Sequence, residues 1–155
     1  MIRRIDVGGL EIKYGPSLEE MLKAIAEGRV CRVDPFVTSE QFSKSEREVM
    51  LGEEAIGVVL VRGEDLDLSD TLSRIKELKL RHLTAFELLA VSGKLPWLQL
   101  GVSRVIALGS ESLFPEGVRH LCLQNHCSCH AVTTCGKPDI DTNNDWIAVA
   151  ETSIS

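Results

Sequence analysis

The pattern of apolar and polar residues predicts a sheet of short strands with three helices packed on it. The clearest strand covers residues 55–61, whose near-continuous apolar run is typical of a strand buried on both faces. Further strands are predicted at 2–7, 10–14, 30–33, 102–108, 118–123, 131–135 and 146–150. The first two flank Gly8-Gly9, a dipeptide that favours a tight hairpin turn between them.

Three segments show the helical spacing of apolar residues, at about 17–28, 69–78 and 84–93. Ser17 with Glu20 and Thr84 with Glu87 form capping boxes, in which a hydroxyl and a carboxylate satisfy backbone N–H groups of the first turn. Because the helices are interspersed with sequential strands, the order predicts an α+β fold. We expect a mixed, mostly antiparallel sheet with about three helices, in a single domain over residues 1–155.

Residues 38–54 are polar and charged, and we expect a loop there with at most one helical turn near residues 39–42. The glutamates of this segment, among them Glu46 and Glu48, are expected to be solvated charges because carboxylates are rarely buried unpaired.

Charge and hydropathy narrow the function classes. The net charge of −6 argues against the broad positive surface that nucleic-acid binding needs. The longest apolar stretch is far shorter than the roughly 20 residues of a membrane-spanning helix, and the first residues lack the apolar core of a signal peptide. We therefore expect a cytoplasmic protein, without nucleic-acid or membrane partners, whose five cysteines are reduced.

The chain's candidate chemistry is concentrated in one segment, because seven of its nine cysteines and histidines fall within residues 120–135. Thiolate and imidazole bind soft metals, and a structural zinc ion takes four such ligands in a tetrahedron. A tight turn through residues 124–126 would bring two pairs of them together. The predicted zinc ligands are His120, Cys122, Cys127 and Cys129, with His126, His130 or Cys135 as substitutes.

Strand geometry works against this zinc site. Leu121 and Leu123 need the core face, so His120 and Cys122 would point to the opposite side, toward solvent. Plain thiols that pack like small hydrophobes, beside surface imidazoles, are therefore the leading interpretation, ahead of metal binding. A disulfide ranks third, since an odd number of cysteines fits a disulfide framework poorly.

A redox-active or nucleophilic thiol is a further interpretation of the cluster. It needs a cysteine whose pKa is lowered by a nearby histidine. His126-Cys127 and Cys129-His130 are adjacent in sequence, but neighbours on a strand point to opposite faces.

Residues 139–145 place oxygen ligands at alternating positions, as the start of a calcium loop does. Asn144 stands where that loop has glycine, and Ala150 stands where it has a bidentate glutamate. A turn between strands is the favoured interpretation, since Asp and Asn side chains bond nearby backbone.

Several segments resemble, in order, those of a family of small bacterial proteins with no assigned activity. The matching segments are 17–21, 37–42, 83–90, 105–110 and 146–150, which read SLEEM, VTSEQF, LTAFELLA, VIALGS and WIAVA. The resemblance implies a single bacterial domain and transfers no catalytic residue. In the family an aromatic-rich stretch follows the fourth segment, where this chain carries its cysteines and histidines.

No catalytic motif or cofactor fingerprint is present in the sequence. The sequence therefore favours a non-enzymatic binding or interaction domain, whose partner is an unknown protein or a small molecule, with a homodimer as one form. The alternatives are a zinc-binding protein that uses the cluster and, third, a thiol-dependent enzyme.

Overall fold

The computed structural model describes residues 1–26, 30–100, 103–126 and 129–151. Its strands are β1 (Ile2–Lys13), β2 (Val30–Val33), β3 (Glu53–Gly63), β4 (Leu80–His82), β5 (Arg104–Phe114), β6 (Gly117–His126), β7 (Cys129–Cys135) and β8 (Trp146–Glu151). Its helices are α1 (Leu18–Ala26), α2 (Glu46–Leu51), α3 (Leu68–Glu77), α4 (Ala85–Val91) and α5 (Trp97–Leu100), with 3₁₀ turns at Ser92–Lys94 and Lys137–Asp139. None of the helices in these segments is long and apolar enough to cross a bilayer.

The strands form one sheet in the order β1-β3-β8-β5-β6-β7-β2. β5 pairs with Trp146 and Ile147 at the start of β8, and the short β4 pairs with residues 149–151 at its end. Only the β5–β8 and β2–β7 pairs are parallel, and the other pairs are antiparallel. The predicted α+β fold with a mixed, mostly antiparallel sheet is therefore confirmed.

The sheet is buried on both faces at its centre, and β3 shows why. Val58 and Leu60 belong to the main core, where α1 and α4 contribute most of the helical residues. Val59 and Val61 point to the other face and pack against Ile75 of α3. The uninterrupted apolar run of β3 follows from this alternation, because each successive side chain enters a different core.

The N-terminal hairpin prediction is wrong. β1 is a single strand that pairs along its whole length with β3, from Ile2 opposite Gly63 to Lys13 opposite Glu53. The register shifts between Asp6 and Gly8, and Gly8 has a φ of 114°. Val7 is the extra residue of this β-bulge, and the positive φ next to it suits glycine, so the strand bends here instead of reversing.

The loop predicted at residues 38–54 contains a helix, α2. Ser45 caps it through a complete capping box with Glu48, at N···O distances of 3.2 Å and 3.1 Å. Glu48 is only 1% exposed, so its expected solvation is wrong. The carboxylate is buried because it also accepts a 2.9 Å hydrogen bond from the Thr84 hydroxyl at the start of α4.

The helix starts predicted from capping residues are confirmed, but of the two predicted capping boxes only that of Thr84 and Glu87 is complete in the described residues. The Ser17 hydroxyl accepts a 3.1 Å bond from the Glu20 N–H at the start of α1. Thr84 and Glu87 bond each other's backbone N–H groups at 3.0 Å and 3.2 Å. Short-range caps need no tertiary partner, which is why the sequence predicts them well.

Candidate functional site

The hairpin of β6 and β7 carries most of the cysteine and histidine cluster and spreads it along its length. His120 lies opposite Cys135, Cys122 opposite Thr133, and His126 opposite Cys129. β6 continues through residues 124–126, where the sequence predicts a tight turn. Cys129 lies opposite His126 and is therefore six residues along the ladder from His120. Six residues of extended strand correspond to roughly 20 Å.

The described members of the predicted zinc set therefore do not converge, because Cys129 lies far from both His120 and Cys122. Cys127 and the side chain of His126 lie outside the described residues. The substitute His130 stacks on Trp97, with ring centroids 4.4 Å apart. In the part of the chain that the structure describes, no group of three or more His, Cys, Asp or Glu side chains is placed to hold a metal ion. Zinc binding stays a prediction.

The cysteines on this hairpin are in two different states. Cys129 is disulfide-bonded, whereas Cys122 and Cys135 are free thiols. The expectation that all five cysteines are reduced is therefore wrong for Cys129. A disulfide sulfur is not a thiolate, so Cys129 offers no metal ligand in this state.

The expected exposure of His120 and Cys122 is also wrong. They do lie on the sheet face opposite Leu121 and Leu123, as strand alternation predicts, but both are buried. Cys122 and Cys135 pack together with Ile106 on that face, and Leu108 and Ile140 cover them. Ile140 belongs to the segment after β7. The alternation of side chains within β6 does not predict that this segment folds over Cys122 and Cys135.

Cys122 and Cys135 are packed together as a pair of buried thiols. The Cys122 Sγ also lies 3.0 Å from the Thr133 hydroxyl, across the ladder. The bond to Cys122, together with burial, raises the pKa of the Cys135 thiol. The bonds from Cys135 and Thr133 outweigh burial and lower the pKa of Cys122.

His120 is fixed in one tautomer by a bulge in β5. Its Nδ1 donates a 2.9 Å hydrogen bond to the Ser110 carbonyl, which leaves Nε2 as an acceptor. That Nε2 is buried and has no hydrogen-bond partner among the described residues. Burial and the charge of Lys137 lower the pKa of His120, and the same two causes, with His120 itself, lower the pKa of His82.

These two histidines predict a loss of stability on mild acidification. An unfolded histidine takes up a proton near pH 6.5, whereas the folded pKa values lie below that. The stabilisation is complete above about pH 6.5 and is lost as the pH falls toward the folded pKa values. We expect the free energy of unfolding to drop by up to about 1.4 kcal/mol per histidine for each pH unit below 6.5.

Urea unfolding at about pH 7.5 and pH 5.5 measures this drop. The variant His120→Gln should show a smaller difference between the two pH values than the parent, whatever its absolute stability. Equal differences in the two proteins would contradict the assignment to His120.

A cleft of about 590 Å³ lies beside His120 on the same side of the sheet. The end of the β5–β6 hairpin forms one wall with Glu111, Glu116 and Val118, and the turn at 136–139 forms the other. The cleft carries both signs of charge, from Lys137 on one wall and the two glutamates on the other. Arg119 also lines the cleft. Its guanidinium donates hydrogen bonds of 2.8 Å to the hydroxyl and carbonyl oxygens of Thr134.

A second polar cluster is buried at the opposite side of the sheet, around Glu87 of α4. Arg81 makes a bidentate pair with the Glu87 carboxylate at 2.7 Å and 2.8 Å, and the Tyr14 hydroxyl donates to it at 2.7 Å. Burial opposes the charge on Glu87, but the bonds from Arg81, the Thr84 N–H and Tyr14 lower its pKa. Burial and the bond to Glu87 raise the pKa of Tyr14. With every acceptor oxygen occupied, this cluster is a structural anchor between β1, β4 and α4.

Residues 139–145 form a turn whose polar groups bond one another. Asp141 accepts bonds from the Asn143 N–H at 3.0 Å and from the Asn144 side chain at 2.6 Å. Asp145 pairs with Arg104 at 2.7 Å. The oxygens of this segment are already used, partly by bonds within the turn and partly by Arg104 and the Asp65 N–H, in agreement with the favoured interpretation of this segment.

Comparison with known proteins adds no functional assignment. No family model, no curated protein and no solved structure shows significant similarity to the chain. The resemblance to a family of small bacterial proteins stays a prediction, and function has to be argued from the site residues themselves.

Proposed function

We propose that this protein is a non-enzymatic interaction domain, that α2 is its binding surface, and that its first partner is a second copy of the chain. The observation that carries the proposal is the orientation of α2. The helix buries a carboxylate, Glu48, and exposes its three consecutive apolar residues.

The exposure of these residues is large. Val49 is 69% exposed, Met50 85% and Leu51 45%. A surface helix normally turns its apolar stripe to the core and its charges to water, so the arrangement in α2 is inverted. Exposed apolar surface of this kind is typical of a protein-protein contact. We call residues 49–51 the α2 patch.

The α2 patch is held rigidly, which favours binding. Glu48 anchors the helix to Thr84 of α4 by the 2.9 Å bond between their side chains. Behind the helix, the Gly52 carbonyl accepts a 2.7 Å bond from the Tyr14 N–H. A surface that is already ordered loses little conformational entropy on association, so more of the apolar burial energy contributes to affinity.

The charges around the patch favour a second copy as the partner. Acidic Glu46 and Glu53 lie in the same short stretch as basic Arg47, and Lys13 lies opposite Glu53 in the β1–β3 ladder. In a two-fold dimer the α2 patch of one copy contacts the α2 patch of the other. Because the edge of the patch carries both acidic and basic residues, an acidic residue of one copy can pair with a basic residue of the other across the symmetry axis.

Light scattering coupled to size exclusion tests the proposal. The parent protein should elute at twice the monomer mass at tens of micromolar, and Met50→Glu should elute as a monomer, because a charge at the centre of the patch would be buried unpaired. Leu78→Glu is the matched control, since Leu78 is 50% exposed at the end of α3, away from α2.

Two results would overturn this proposal. A monomeric parent protein removes the second copy as the partner. Dissociation of the dimer by Leu78→Glu to the same extent as by Met50→Glu removes α2 as its interface.

A cytoplasmic location was predicted from the sequence, whereas the disulfide at Cys129 is a feature more typical of oxidising compartments. Thiol counting on protein extracted under acid quench would show whether Cys129 is oxidised in the cell.

A further inference from the structure

We propose that Cys122 and Cys135 form a two-sulfur binding site for a soft monovalent cation, with the cuprous ion as the chemical class that fits best. This site differs from the predicted zinc set, because it uses a cysteine from each strand of the hairpin and leaves out Cys127 and Cys129. It does not depend on the α2 patch.

The β6–β7 ladder places the two sulfurs side by side. Cys122 lies opposite Thr133 and Cys135 lies opposite His120, so all four side chains occupy one face of two neighbouring strands. The two side chains pack against each other in one buried cluster with Ile106, so both sulfurs face the same small volume.

The number and type of ligands select the metal. Zinc needs four ligands, and the described residues provide no group of three. Thiolate is the soft ligand that favours Cu(I), an ion that accepts two-coordinate sulfur sites. The apolar cover of Ile106, Leu108 and Ile140 excludes water and so disfavours the harder, strongly hydrated divalent ions.

The charge balance of the site is favourable. Binding removes one proton from each thiol and forms two sulfur–copper bonds, so a neutral pair becomes a unit of charge −1, with copper still in the +1 state and both protons released to solvent. Arg104 lies near enough to stabilise negative charge on Cys122, and its effect there exceeds the opposing effect of Asp145. The Thr133 hydroxyl, 3.0 Å from Cys122 Sγ, can donate to the bound thiolate.

The cleft beside His120 gives the ion a path to the buried pair. His120 is the cross-strand neighbour of Cys135, and Gly136 follows Cys135 directly; both residues line the cleft. The unpartnered Nε2 of His120 is a neutral imidazole acceptor, the form that ligates metals, so it can assist transfer of the ion from solvent.

Anaerobic competition with bicinchoninate, a chromogenic Cu(I) chelator, tests the site on the full chain. The parent protein should remove one equivalent of Cu(I) from the chelator. Cys122→Ala and Cys135→Ala should each weaken this binding by at least about 100-fold, since even loss of an outer-shell partner costs 10- to 100-fold. Thr134→Val is the matched control: Thr134 is next to Cys135 in sequence but lies opposite Leu121 on the other face of β7, so this variant should keep the equivalent of Cu(I).

The proposal is overturned if the parent protein takes no copper from the chelator. It is also overturned if the double variant Cys122→Ala/Cys135→Ala keeps the bound equivalent while showing the circular dichroism spectrum of the parent. Should the alanine variants fail to fold, X-ray absorption of the Cu(I)-loaded parent decides: two sulfur neighbours support the site, and three or more neighbours exclude it.

Discussion

Replacement of Glu87 by alanine is expected to lower the free energy of unfolding by roughly 3 kcal/mol or more, the largest effect of any single charged residue described above. Glu87 is fully buried, and its carboxylate accepts bonds from Arg81, Tyr14 and the Thr84 N–H. Removing it leaves the Arg81 guanidinium and the Tyr14 hydroxyl with the more distant Glu54, at 3.8 Å and 3.3 Å, and the first turn of α4 without its reciprocal cap.

Chemical denaturation of the parent and of Glu87→Ala measures this loss directly. Glu77→Ala is the matched control, because Glu77 is exposed at the end of α3, and it should change the free energy by no more than about 0.5 kcal/mol. Equal effects of the two substitutions would show that the buried network contributes nothing specific.

The Glu87 carboxylate also determines how the free energy of unfolding changes at acidic pH. Its folded pKa is lowered, so its contribution is fully present above the ordinary glutamate pKa of about 4.3 and is lost as the pH falls further. The parent should therefore lose stability more steeply than Glu87→Ala below about pH 4.3. This range lies below that of the histidines, so the two effects can be separated.

Gly109→Ala is expected to destabilise the fold by about 2 kcal/mol, at the middle of the range for overpacked interiors. A Cβ atom at this position would lie 2.6 Å from the carbonyl oxygens of both His82 and Leu83. These are backbone atoms, and the Gly109 N–H is itself held by a 2.8 Å bond to the Leu83 carbonyl, so neither side can move away cheaply.

The control for this substitution is Gly93→Ala, where a Cβ would meet no atom within 4 Å. There the change should be within about 0.5 kcal/mol or slightly stabilising, because alanine restricts the unfolded chain. Gly109→Ala should also disturb His120, since the neighbouring Ser110 carbonyl accepts its Nδ1–H bond. A parent-like melting temperature for Gly109→Ala would contradict the tight packing of β4 against the β5 bulge.

The candidate site was predictable only in part. The composition of residues 120–135 identified the right hairpin, and strand alternation put His120 and Cys122 on the face away from the main core. Their burial was not predictable, because the covering Ile140 comes from a separate segment. The partners Ser110 and Thr133 gave no sequence signal, since hydroxyl and carbonyl groups are common everywhere along the chain.

One missed feature did have a local signal. Ser45 and Glu48 have the same spacing as the Thr84–Glu87 capping box, which would have predicted α2 inside the supposed loop. The surrounding charges hid it, because the short helix has no apolar stripe facing inward.

Features that depend on neighbours within a few residues follow from the amino-acid sequence alone. These are the α+β class, the two-faced burial of β3 and the caps of α1 and α4, all of which follow from backbone geometry and the period of side chains along a strand or helix. The bulge in β1, the burial of Glu48 and the register of the β6–β7 hairpin depend instead on contacts between distant segments. That register separates Cys129 from His120 and joins Cys122 to Cys135, because pairing between strands is set by packing across the whole sheet.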